Sequence, residues 1–370
     1  MELMAKAKAL EATGFSVIHL EVGEPDFPTA EPILAAAQSF LRQGHVHYTA
    51  ALGLPALREK ISDFYAQTHG IEVSPERIII TAGASGALLI ALGVLVSPGS
   101  EWLLPDPGYP CNRNFVSLFE GIPQGLPVGS EANFQPTPEE VAARWNHNTG
   151  GLMVASPANP TGSVLSRQQL TALWNVVRAR GGSFIVDEIY HGLTYGAKAE
   201  SALGISEDIF VINSFSKYFG MTGWRLGWLV APPTSAREIE KLAQNLFICP
   251  SAVAQHAALE AFNPETIGIL EQRRQLFQKR RNTLLTGLRK LDFSIAKAPE
   301  GAFYIYANSS AHDTDSFKLA HQLLTKAGVA ATPGLDFGNH RPADHIRFAY
   351  TLDEVQIEMA LERLQRYFDY

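Results

Sequence analysis

Lys217 is the residue around which a chemistry can be built. It lies in the run Ser214-Phe215-Ser216-Lys217-Tyr218-Phe219-Gly220-Met221-Thr222-Gly223-Trp224-Arg225-Leu226-Gly227, among hydroxyls, glycines and aromatics. Apolar stretches bracket it, Ile209-Phe210-Val211-Ile212 before and Leu226-Gly227-Trp228-Leu229-Val230 after. A lysine amine that burial or a nearby cation keeps neutral can attack a carbonyl carbon and form an imine. Arg225 is the only cation close to it in sequence. The plainer reading of the same residues is a solvated lysine in a glycine-rich turn.

Other residue patterns carry chemistry of their own. Ser183-Phe184-Ile185-Val186-Asp187-Glu188-Ile189-Tyr190 ends an apolar strand on an acid, the place where open α/β sheets bind ligands. Strand alternation puts Glu188 on the opposite face, so Asp187 is the candidate; a cap on the following turn is its alternative role. Arg347 interrupts the apolar strand His345–Tyr350. A buried guanidinium there requires a partner, either a bidentate carboxylate ligand or an internal salt bridge. Arg77-Ile78-Ile79-Ile80-Thr81 runs into Ala82-Gly83-Ala84-Ser85-Gly86 and an apolar helix. Strand, small-residue turn and helix start form an anion site or an ordinary connection; no Walker lysine follows. Asn159-Pro160-Thr161-Gly162 and Gly23-Glu24-Pro25-Asp26-Phe27-Pro28 are turn and loop chemistry on any reading. Tyr48 in its loop, and Tyr109 between Gly108 and Pro110, are packing residues unless something flat or anionic meets them.

The elements that must position these residues alternate strand and helix from residue 78 to 230, which predicts an α/β sandwich with a largely parallel sheet. Leu226–Val230 must run antiparallel, because its connection from the Phe210 strand is too short for a crossover helix. Helices are expected over residues 1–13, after Leu54, over 137–144, from the Ser166 cap, over 235–247, 250–261 and 263–290, over 315–327 and over 352–368.

Bulk properties exclude several classes. The 370 residues, 46% hydrophobic and 18% charged, suit a compact protein of about two domains. A net charge of -7 gives no basic footprint for nucleic acid or anionic membrane. Cys111 and Cys249 make no disulfide framework and fit a reducing, cytoplasmic setting. No Cys–His spacing suggests a metal site. The apolar run Ala87–Val96 is too short to span a bilayer, and no signal core follows Lys6 and Lys8.

The fourteen-residue lysine stretch, with the GEPDF hexapeptide region and the Asn159-Pro160-Thr161-Gly162 turn, resembles the class I/II aminotransferases of fold type I, enzymes that use pyridoxal 5'-phosphate (PLP). The likeness runs through nearly the whole chain. It implies a three-layer α/β/α sandwich over residues 34–272 and a smaller α+β domain joining 1–33 to 273–370. It implies that Lys217 carries the cofactor as an aldimine and that Asp187 meets the pyridine nitrogen. A charge pair about 4 Å apart is worth about 4 kcal/mol at an effective dielectric near 20, enough to keep that nitrogen protonated. The resemblance gives Asn159 and Tyr190 the ring's phenolic oxygen, Tyr109 its face, and Ala84, Ser85, Ser214, Ser216 and Arg225 the phosphate. Gly23, Asn159 and Arg347 would hold the substrate's α-carboxylate end. Tyr48 would reach the phosphate of a second subunit, which implies a homodimer. Relatives carry an N-terminal arm before the first helix, whereas this sequence begins almost at that helix. The implied reaction moves an amino group between an amino acid and a 2-oxo acid; a PLP lyase such as a carbon–sulfur lyase, or a non-catalytic binding protein, are the alternatives.

Overall fold

The computed structural model describes residues 2–196 and 198–369. Its strands are β1 (Ile18–His19), β2 (Ile78–Thr81), β3 (Glu101–Asp106), β4 (Ile122–Pro127), β5 (Thr149–Ala155), β6 (Ser183–Asp187), β7 (Phe210–Ser214), β8 (Gly227–Val230), β9 (Tyr304–Asn308), β10 (Val329–Ala330), β11 (Thr332–Pro333) and β12 (His345–Ala349). Seven of them form one sheet in the order β2-β8-β7-β6-β5-β3-β4. β3 to β7 are mutually parallel, and β8 lies antiparallel to both β7 and β2, as the short connection requires.

Both faces of this sheet are buried. Leu152, Val154, Phe184, Val186 and Val211 belong to one apolar cluster, and their alternating neighbours Met153, Ile185, Phe210 and Ile212 belong to another. A period of two with apolar residues at every position is what a sheet covered by helices on both sides demands. The covering helices start where their sequences supply caps. Ser166 opens Arg167–Ala179 with a reciprocal capping box to Gln169, and Thr137 does the same for Pro138–Arg144 with Glu140. The structure adds helices at Glu31–Gln43 and Pro110–Leu118 and the edge strand β4, none of which the sequence pattern had indicated.

The C-terminal part builds a second sheet, β11-β12-β9, all antiparallel, while β1 pairs in parallel with β10 and so ties the N-terminal segment to it. The 27-residue helix Pro264–Lys290 packs on the last helix, Glu354–Phe368. From this long helix Arg280, 6% exposed, grips both carboxylate oxygens of Asp26 at 2.8 and 2.9 Å and the Thr351 carbonyl at 3.0 Å. That pair fixes the loop carrying Gly23.

Removing one partner of such a pair leaves the other as an uncompensated buried charge. With the Asp26 side chain 30% exposed, Asp26→Ala is expected to lower unfolding stability by about 2 kcal/mol, less than a fully buried pair loses. The check is a fall in urea midpoint at constant m-value, with Arg280→Met losing less.

Candidate active site

The carboxyl ends of the parallel strands open onto a cavity of about 480 Å3. β6 delivers Asp187 and the turn after it Tyr190; β7 delivers Ser214 and the loop after it Ser216 and Lys217; the turn into β8 delivers Arg225. Ala84 and Ser85 come from the start of the helix Gly83–Leu95, Tyr109 and Asn159 from the loops after β3 and β5, Gly23 from the N-terminal loop and Arg347 from β12. The twelve sequence-designated positions other than Tyr48 come from eight separate segments, and all twelve line one cavity. Tyr48 does not line it. It lies on an outward-facing segment, 81% exposed.

One end of the cavity is built for an anion. The helix Gly83–Leu95 starts at Ala82 with no side-chain cap, so its first amides remain available. Arg225 adopts a left-handed backbone, φ 54°, rare for a side chain of its size. This conformation brings its guanidinium over Gly83, where an added Cβ would sit 2.7 Å from Nη2. Gly227 is equally constrained: a Cβ there would lie 2.8 Å from the Ala84 amide nitrogen. The Ser214 hydroxyl is engaged within the loop, donating to the Leu226 carbonyl at 3.2 Å and accepting from the Ser216 amide at 3.0 Å.

At the other end sits Asp187, 5% exposed. Burial pushes its carboxyl up to about 7, against the pull of the Ile189 amide, which donates to Oδ1 at 3.1 Å, and of Lys217. Glu188 points the opposite way, away from the cavity, and takes hydrogen bonds from the Ser201 hydroxyl and the Ala202 amide. Lys217 Nζ donates to the Gly23 carbonyl at 3.0 Å.

Arg347 is held on four sides. Its Nη1 donates to Asn159 Oδ1 at 2.9 Å, and its Nη2 to the Glu21 carbonyl at 2.7 Å and to Thr332 Oγ1 at 3.3 Å. The rings of Tyr304 and Phe337 lie 4.2 and 4.8 Å from the guanidinium carbon. Its Nε is buried without a partner. Because the Asn159 oxygen serves Arg347, the amide's N–H groups are left for the cavity. Among the described residues no carboxylate pairs with Arg347, whose hydrogen-bond partners are Asn159, the Glu21 carbonyl and Thr332, so an internal salt bridge does not explain it. Tyr304, which no motif in the sequence marks, also lines the cavity. Its hydroxyl lies 3.1 Å from that of Tyr190, and a Cβ on Gly23 would collide with it.

Residues 16–364 match the family described as aminotransferase class I and II. The chain belongs to that family. It is 37% identical to the valine–pyruvate aminotransferase of Mycobacterium tuberculosis, over 98% of this chain and 94% of that protein. Its structure matches the crystal structure of an aminotransferase from M. tuberculosis with a TM-score of 0.96 at 36% identity, covering 100% and 96% of the two chains. It matches the aspartate aminotransferase of Thermus thermophilus with maleate at 0.94 and 32% identity, covering 99% and 95%. Relatives of this kind support aminotransferase activity and do not favour the lyase.

The aminotransferase's cofactor is PLP, and the cavity suits that group. An uncapped helix start, the Ser216 hydroxyl and a guanidinium stand at one end, a buried carboxyl lacking a cationic hydrogen-bond partner at the other, and the lysine between segments that reach both.

The Asp187 shift has a consequence for the cofactor-free protein. Below about pH 7 the folded chain holds a proton that the unfolded chain, titrating near 3.8, releases. This group's contribution therefore favours the fold at low pH and is lost as pH rises through about 7, with a ceiling of ~4 kcal/mol. Cofactor-free Asp187→Asn is expected to melt above the wild type at pH 8, with the gap narrowing by pH 5, while its PLP affinity falls. Thermal melts at both pH values and a PLP titration check this.

Proposed function

We propose that this aminotransferase acts on amino acids with uncharged side chains. The observation that carries the reading is the charge count of the cavity. Among the described lining residues the cations are Lys217, Arg225 and Arg347. Arg225 stands with the free helix amides and suits a phosphate, and Arg347 suits the α-carboxylate common to every amino acid and 2-oxo acid. No further cation remains for a side-chain carboxylate, and Glu24 stands at the rim. The similarity to a protein named valine–pyruvate aminotransferase agrees with this.

PLP supplies the electron sink that lets an amino group pass between an amino acid and a 2-oxo acid. The chain's own groups have separable tasks. Lys217 would hold the cofactor covalently and, once the substrate amine has displaced it, its freed amine would take the proton from the substrate Cα. Asp187 would keep a proton on the ring nitrogen. The Asn159 amide and the Tyr190 hydroxyl would donate to the ring oxygen, with Tyr190 steadied by Tyr304. Tyr109 would cover the ring face. Ala84, Ser85, Ser214, Ser216 and Arg225 would bind the phosphate, Ser214 chiefly by shaping the loop. Gly23 gives the substrate room to approach. Tyr48 serves the site of a second copy, which accounts for an exposed tyrosine on an apolar-bearing segment with Val46 and Leu41. The working unit on this reading is a homodimer. Residues 34–272 act as the cofactor-binding domain, with 1–33 and 273–370 as the smaller one. Two unpaired cysteines, Cys111 and Cys249, suit the cytoplasm.

Two measurements test this reading. Borohydride reduction of the PLP-loaded protein, followed by peptide mapping, is expected to place the cofactor on Lys217; a label on another lysine would defeat the assignment. Steady-state comparison of valine, alanine and aspartate is expected to give the neutral amino acids a kcat/KM at least about tenfold above aspartate, since an unpaired carboxylate in a closed site costs more than 1.4 kcal/mol. A preference for aspartate would contradict the proposed substrate class.

A further inference from the structure

We propose that Asp106 is a positioning residue for Arg347, acting through Phe337. The inference rests on the reading that Arg347 takes the α-carboxylate. Asp106 is the last residue of β3, in the seven-stranded sheet, and does not line the active-site cavity. Its carboxylate caps no helix. It accepts instead from the turn that follows β11: Oδ1 takes the amides of Asn339 and His340 at 3.0 and 3.1 Å, and Oδ2 takes the Asn339 amide at 2.9 Å. Two residues along, the Gly108 amide donates to the Phe337 carbonyl at 2.9 Å. These contacts lock the Phe337–His340 turn to the loop that carries Tyr109.

Phe337 is the consequential member of that turn. It is 2% exposed, and its ring centroid lies 4.8 Å from the Arg347 guanidinium carbon, with that of Tyr304 at 4.2 Å. Contact with two aromatic rings limits the tilt of a guanidinium, and hydrogen bonds to Asn159, Glu21 and Thr332 limit its rotation. If the turn drifts, the Phe337 ring drifts, and the fork that must meet both carboxylate oxygens loses its aim. Gly338 bears this out from the other side of the latch. Its backbone is not left-handed, so conformation does not demand glycine, but a Cβ would overlap the Asp106 carboxylate. The position is kept small so that the carboxylate can reach the two amides beyond it.

Because amino acid and 2-oxo acid present the same carboxylate to Arg347, loosening the latch should weaken both equally and leave the chemistry at Cα intact. In the PLP-loaded enzyme, Asp106→Ala is expected to raise KM for both substrates by the same factor, about tenfold, the value of one bond to a charged acceptor, with kcat within about threefold and PLP affinity unchanged. Asp106→Asn, which keeps one acceptor oxygen, should fall between. Gly338→Ala attacks the latch while leaving the Asp106 residue in place and should reproduce the pattern, so the test survives if Asp106→Ala does not fold. An unchanged KM, a loss confined to kcat, or a fall in PLP affinity in step with KM would overturn the proposal. Arg347→Ala measured in parallel separates the two ideas. If it raises both KM values and the Asp106 and Gly338 variants do not, the latch alone has failed; if it leaves KM unchanged, the role of Arg347 has failed and the latch with it.

Discussion

The structure depends on the burial of one carboxyl group. Asp187 ends a strand in which every residue after Ser183 is buried, and it receives a single backbone hydrogen bond. A carboxylate in that position is costly unless a cation faces it, and its upward shift to about 7 expresses the cost. The sheet topology makes the position useful. At the carboxyl edge of parallel strands, neighbouring loops converge on the same space, so Lys217 from the loop after β7 and Asn159 from the loop after β5 line the same cavity as Asp187.

The two ends proposed to bind anions solve the same problem by different means. At the Arg225 end the donors are backbone amides of an uncapped helix, and close approach is secured by Gly83 and Gly227. At the Arg347 end the chain provides a guanidinium already satisfied on its two terminal nitrogens and walled by aromatic rings, with only Nε left unpaired. A pre-aimed fork binds a carboxylate with little further loss of side-chain freedom.

Much of this was legible in the sequence, for a reason that particular residues make clear. Lys217, Asp187, Asn159 and Arg225 sit in short runs whose composition is unusual wherever it occurs, and the antiparallel direction of β8 followed from chain length alone. What escaped was set by tertiary contact. Ile122-Pro123-Gln124-Gly125-Leu126-Pro127 carries two prolines and a glycine and reads as a loop, yet it forms β4, an edge strand, where a missing amide costs little. Tyr304 reads as one more core residue of β9; its meeting with Tyr190 spans 114 positions. The partners of Arg347 at Glu21 and Phe337 are invisible for the same reason, since a backbone carbonyl and a buried phenylalanine bear no local mark. Tyr48 shows the converse, a position designated by resemblance that a single chain leaves in solvent.

The central claim is that Asp187 exists to keep a proton on the cofactor's ring nitrogen. Nitrogen-15 NMR of the enzyme loaded with PLP labelled at that atom tests it most directly. The account predicts a protonated nitrogen in the wild type from pH 6 to pH 9 and a neutral one in Asp187→Asn. A neutral nitrogen in the wild type, or a protonated one that survives the substitution, would contradict it.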